Sequence, residues 1–183
     1  MGTTKVFYGA VMVMFVCLLD FSCKGAERNV ATDNDTVVLA QSEQSFTIDT
    51  SKIFYQTKVM ATGKKVTGDK KILLLLDDPA IAQNSDGVYE IYVCPEKCEV
   101  NILSSSHPGF VNVVDLYALT VSDPPDYLSV DITRKTSEWI KVGQPFPSIY
   151  ITVLFRGNRL PEKIESRQAG QMVVAGMRVV QKK

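Results

Sequence analysis

Apolar residues recur at every second position through much of this 183-residue chain, a period that fits strands and not helices. Leu128, Val130 and Ile132 alternate with Ser129, Asp131 and Thr133, while Ile149, Ile151, Val153 and Phe155 fall among Ser148, Tyr150, Thr152 and Arg156. Both runs read as antiparallel strands with one face buried. Residues 72–76 are continuously apolar between Lys70-Lys71 and Asp77-Asp78-Pro79, as expected of a strand covered on both faces. Residues 88–94, 110–121 and 172–180 add β-branched and aromatic segments. Turn signals separate these runs: Asp86-Gly87, Pro108-Gly109, Asp123-Pro124-Pro125-Asp126, Gly157-Asn158 and Ala169-Gly170. No window of about twelve residues carries a helical stripe, and the best helix candidate is a single turn within 133–141. With 45% apolar residues the chain can bury a core. The pattern predicts an all-β fold, an antiparallel β-sandwich or partly closed β-barrel of about 8–10 short strands.

Composition narrows function by exclusion. Twenty basic and 20 acidic side chains cancel, which argues against nucleic acid as a partner, since that affinity comes from clustered Lys and Arg on phosphate. The single histidine, His107, excludes a catalytic metal centre built mainly from imidazoles.

The N-terminus carries an address. Lys5 precedes an almost wholly apolar stretch at 6–19. As a helix those residues span about 21 Å against a hydrocarbon core of about 30 Å, so a signal peptide fits better than a membrane span. The stretch ends Leu18-Leu19-Asp20-Phe21-Ser22-Cys23-Lys24-Gly25, where Ser22 before Cys23 resembles the processing site of bacterial lipoproteins. The resulting expectation is a signal peptide over 1–22, with Cys23 diacylated at the head of the mature chain. Residues 23–36 form a polar tether and 37–183 the folded domain. That places the protein in the cell envelope, anchored to a bacterial membrane by lipid. Ordinary cleavage near Gly25, freeing a secreted or periplasmic protein, and a retained anchor are the alternatives.

With Cys17 in the leader and Cys23 at the head of the tether, the domain keeps Cys94 and Cys98. A three-residue hairpin loop, Pro95-Glu96-Lys97, between strands at 88–93 and 99–103 sets them opposite each other within reach of a disulfide. An exported protein permits that oxidation. The first reading is a local disulfide staple without metal or cofactor. The alternative is a copper site made of Cys94, Cys98 and His107, two thiolates and an imidazole being suited to copper. Thiol exchange is a further possibility. The same spacing holds copper in Sco-type chaperones, where the pair opens a helix in a thioredoxin-like fold rather than lying between strands.

Other constellations are weaker. Ser104-Ser105-Ser106-His107 pairs a nucleophile type with a base type, but neighbours on an extended chain point to opposite faces and no acid is designated. Asp77-Asp78 and Asp123/Asp126 sit in turns, where Asp is expected for backbone reasons; a carboxylate-dependent hydrolase is therefore only a second alternative. Gly63 and Gly68 have the spacing of a phosphate loop, yet Asp69 stands where that loop requires Lys, so residues 62–71 read as a solvated hairpin tip. Trp139, Tyr117, Tyr127 and Phe146 read as core or rim residues. No catalytic residue is assigned.

The order of segments carries a resemblance. Asp86-Gly87-Val88-Tyr89-Glu90-Ile91-Tyr92-Val93, followed by Ser106-His107-Pro108-Gly109-Phe110-Val111-Asn112-Val113-Val114-Asp115-Leu116-Tyr117, resembles the C-terminal β-domain of bacterial tyrosinases and plant polyphenol oxidases. Residues 128–133, 149–157 and 172–180 resemble later strands of that domain in the same order, so the likeness spans about 46–180. It implies a small β-barrel or sandwich that lies over a copper-bearing helical domain and shields its active site. The copper ligands of those enzymes are histidines of the helical domain, with no counterpart here, so phenol oxidation does not carry over. The expectation is a non-enzymatic interaction module whose partner is a copper-containing phenol oxidase, covered or assisted in trans.

Overall fold

The computed structural model describes residues 35–49, 52–81, 87–115, 126–157 and 171–183. The leader, Cys17, Cys23, the tether up to residue 34, Tyr117 and Asp123 lie outside them. All the described residues belong to the unit Thr32–Lys183.

The strands are β1 (Thr36–Ser42), β2 (Phe46–Ile48), β3 (Phe54–Ala61), β4 (Ile72–Asp77), β5 (Ala80–Ile81), β6 (Val88–Cys94), β7 (Phe110–Asp115), β8 (Tyr127–Asp131), β9 (Ile149–Gly157), β10 (Met172–Val174) and β11 (Gly176–Lys182). One short helix, α1 (Thr133–Ser137), lies within the predicted turn. Eight strands form one antiparallel sheet in the order β7-β6-β9-β3-β1-β11-β4-β8, and β2-β10-β5 form a second. The large sheet is nearly closed, so the all-β sandwich or barrel expected from the alternation is the observed fold.

Alternation sets the core. Tyr89, Ile91 and Val93 of β6 join Ile149, Ile151 and Val153 of β9 and Tyr55 and Val59 of β3 in the main cluster. Each set occupies alternate positions, as the pleat requires. Between β2 and β3, Phe46 stacks on Tyr55 with ring centroids 4.1 Å apart, which ties the small sheet to the large one. Leu74 and Leu76 of β4 are fully buried and Leu75 nearly so, consistent with a strand covered on both faces.

Three details differ from the sequence reading. First, β9 is not half-buried, because Thr152 and Leu154 on its second face are also buried. Second, the segment at 172–180 is two strands, with Ala175 between them donating its N–H to the Asp77 carbonyl at 2.9 Å. The change of sheet depends on Gly176, where a Cβ would stand 2.9 Å from the Ser42 carbonyl oxygen. Third, residues 62–71 do not form a hairpin tip. They connect β3 to β4, which are separated in the sheet by β1 and β11. The crossover is held by the buried Gln181 side chain: its Oε1 accepts from the Thr67 N–H at 2.9 Å and its Nε2 donates to the Thr67 carbonyl at 3.1 Å.

Candidate functional site

Cys94 closes β6 on the face that also carries Tyr92. The chain from Cys94 to Phe110 folds back over this outer face and then returns as β7, paired to β6. A second apolar cluster forms beneath it from Tyr92, Leu103 and Leu154, with Cys98, Val100 and Phe110 packed against them. This cover is what buries the second face of β9.

Polar contacts lock the cover to the sheet. Arg156 of β9 donates from Nε to Glu90 at 2.6 Å, and from Nη2 to the Leu103 carbonyl at 2.7 Å and the Tyr92 hydroxyl at 3.1 Å. The Tyr92 hydroxyl also donates to Glu90. Burial, then the bond to Glu90, raises the Tyr92 pKa above the ordinary phenol value. Gln56 of β3 donates to the Cys98 carbonyl at 3.0 Å and to Thr152 Oγ1 at 2.8 Å.

Cys94 and Cys98 form a disulfide with their Cα atoms 6.7 Å apart. The staple expected from sequence is present, but its predicted scaffold is not. Residues 99–103 form no strand; they hold the 3-10 turn Val100–Ile102. The cause lies in the sheet, where β7 and β9 already occupy both edges of β6 and leave no ladder position for residues 99–103.

His107 reaches the same place from a tight turn. Its N–H donates to the Ser104 carbonyl and its own carbonyl accepts from the Phe110 N–H, both at 2.9 Å. The Gly109 N–H donates to His107 Nδ1 at 2.9 Å, which leaves the proton of a neutral ring on Nε2. The ring sits edge-on to Tyr92, with centroids 5.9 Å apart. The Gly109 carbonyl accepts from the Val93 N–H at 2.8 Å and so fixes the turn to the end of β6. The two sulfurs and an imidazole nitrogen lie within 4.8 Å of one another. Gly109 is the floor of this group: a Cβ there would stand 2.5 Å from Cys94 Sγ and 3.2 Å from His107 Nδ1.

Beside the group opens a cleft of about 540 Å³, whose lining includes Cys98, Ile102, His107, Glu138 and Trp139. Ile102 is 58% exposed and Trp139 is half-buried against the core. Glu96 and Glu99 border the cleft beside Lys97, and Glu138 pairs there with Lys135 at 3.5 Å, which leaves the rim acidic by one net charge. A second hollow of about 560 Å³ lies against Phe54, Gln56, Cys98 and Val100. The cysteine loop is therefore a wall between two concavities.

The other candidates among the described residues make the following contacts. The Ser104 and Ser106 hydroxyls bond each other at 2.8 Å, and His107 Nδ1 is engaged by Gly109 rather than by a serine. Asp77 is held by Arg178 in a two-pronged ion pair, with contacts of 2.6 and 2.9 Å. Asp126 is exposed, and its carbonyl accepts from the Asp78 N–H at 2.9 Å. Gly63 and Gly68 both have positive φ in an exposed loop that leads into β4. Phe146 is core, as expected, but Tyr127 is 45% exposed.

Sequence reading placed the cysteines and the histidine but missed Ile102, Glu138 and Gly109 as cleft residues. Only Gly109 carried a signal, as part of a turn dipeptide; Glu138 and Trp139 reach the cleft through a tertiary approach from α1.

Fold and site together define an antiparallel β-module with a disulfide-braced loop walling an acidic-rimmed cleft. No family model matches the chain, and no curated protein matches it at significant similarity.

Proposed function

We propose that the protein is a non-catalytic, exported interaction module that docks a protein partner in the cleft beside the Cys94–Cys98 loop. The observation that carries this reading is the cleft itself: Ile102 and Trp139 offer apolar surface in a concavity whose wall is braced by the disulfide. A preformed wall lowers the ordering cost of association, and a half-buried aromatic is the side-chain type that anchors interfaces. The acidic rim calls for a basic patch on the partner. By the resemblance to the tyrosinase C-terminal domain, that partner is a copper-containing phenol oxidase carried on a separate chain. A lipid on Cys23 would hold the pair at a membrane, and mass spectrometry of the envelope fraction tests that part.

The docking claim is tested by titrating a purified copper phenol oxidase from the same cell with this protein, reading binding and phenol oxidation together. The expected result is saturable binding that changes the oxidation rate and is abolished by Ile102→Asp. If neither binding nor a rate change is seen, the partner assignment fails.

A further inference from the structure

We propose that, once its disulfide is reduced, the Cys94–Cys98 loop is a binding site for a single soft monovalent metal ion, Cu(I), held by the two thiolates and the His107 imidazole. This inference does not depend on the docking reading.

Three pieces of one short stretch, residues 94–107, are each anchored to a different part of the fold and converge on one point. Cys94 is fixed by the last rung of β6, Cys98 by the bond from Gln56 to its carbonyl, and His107 by the turn that Gly109 bonds to Val93. Their donor atoms already lie within 4.8 Å of one another, and an ion that bridges them takes over the His107 lone pair that otherwise accepts from the Gly109 N–H, so the metal bond replaces that hydrogen bond. Two further features suit a ligand. Gly109 supplies backbone without a side chain where a Cβ would crowd both Cys94 Sγ and His107 Nδ1. The cleft at 93–109 gives solvent access to the group.

Donor chemistry selects the metal. Two thiolates and an imidazole are a soft set. Among the described residues the cluster has three members and no fourth, whereas structural zinc takes four protein ligands. Cu(I) is satisfied by two or three. The acidic rim adds an attractive field for a cation.

Oxidation state is the gate. In the disulfide each sulfur is spent on its neighbour and offers no thiolate. An external dithiol supplies two electrons and two protons, giving the Cys94 and Cys98 thiols and leaving as its own disulfide. Cu(I) then binds with release of both thiol protons. The oxidised loop braces the cleft wall, and the reduced loop holds metal.

The test uses the full chain carrying Cys17→Ser and Cys23→Ser, so that Cys94 and Cys98 are the only cysteines. One half is kept oxidised. The other is reduced with a dithiol under argon, desalted, and titrated with Cu(I) in the presence of the coloured chelator bicinchoninate. The reduced chain is expected to withdraw one Cu(I) per molecule and the oxidised chain none, with far-ultraviolet circular dichroism unchanged by reduction. Adding Cys94→Ser should abolish withdrawal, and His107→Ala should weaken it by about tenfold or more, since losing a ligand costs at least as much as losing a group that orients one. Four results would overturn the proposal: copper left with the chelator, equal binding after Cys94→Ser, unchanged affinity after His107→Ala, or loss of the fold on reduction.

Discussion

Tyr55 and Tyr89 both enter the main core as aromatic residues of alternating strands, yet their hydroxyls meet different conditions. The Tyr55 hydroxyl is buried without a hydrogen-bond partner among the described residues, while the ring is held by Phe46 and by Lys52, whose Nζ lies 5.3 Å from its centroid. An unpaired buried hydroxyl costs about 1–3 kcal/mol. Tyr55→Phe keeps the ring and removes the cost, so it should stabilise the fold by about 1 kcal/mol. A urea midpoint that falls instead would show that the hydroxyl is bonded. Tyr89 is fully buried, and burial, with a smaller contribution from the charge of Asp49, raises its pKa well above the usual phenol value. The native state therefore keeps this proton at pH values where the unfolded chain has lost it. Stability is intact below about pH 10, the unfolded value, and falls as pH rises beyond it. Melting curves across the alkaline range should show that decline in the parent chain, with a shallower slope in Tyr89→Phe.

At the scale of elements, strand identity was legible and strand company was not. Alternation at 128–132 and 149–155 is a local property, fixed by which side chains must face the core, and β8 and β9 follow it. What lies over the second face of β9 is set by residues 95–110, a stretch with no strong period of its own, so the burial of Thr152 and Leu154 could not be read from β9. The crossover at 62–71 shows the same limit. Its glycines and lysines signal exposed loop, but nothing local says that it must pass two strands rather than turn back on one. The device that holds it is Gln181, a polar residue in the apolar run of β11 whose amide satisfies both backbone groups of Thr67. Replacing Gln181 with Leu strands those groups under the loop and should cost about 1–3 kcal/mol, read as a lower urea midpoint. Faster amide exchange confined to the crossover would place the damage there. An unchanged midpoint would mean that water replaces the amide.

For the whole molecule, the topology makes the cysteine loop an addition to the barrel and not a strut of it. Eight strands are joined by ladders that do not run through residues 95–109, and the loop contributes only to the small cluster around Tyr92, Leu103 and Leu154. The cysteine pair was legible because its spacing is short. His107 was named beside the pair as a candidate ligand, but the turn that carries it there was not legible, because it depends on β7 returning to the outer edge of β6 in a register with a bulge between Ile91 and Tyr92. Closing a five-residue loop restricts the unfolded chain by about 2 kcal/mol on the entropy model. For a domain of this size that corresponds to about 4–8 °C of melting temperature. The double variant Cys94→Ser/Cys98→Ser should therefore melt cooperatively within that interval of the parent chain, with its β-sheet circular dichroism retained. A larger fall, or a non-cooperative melt, would mean that the loop carries the outer face of β6 and β9, and a reduced but folded state would then have no place in this molecule's chemistry.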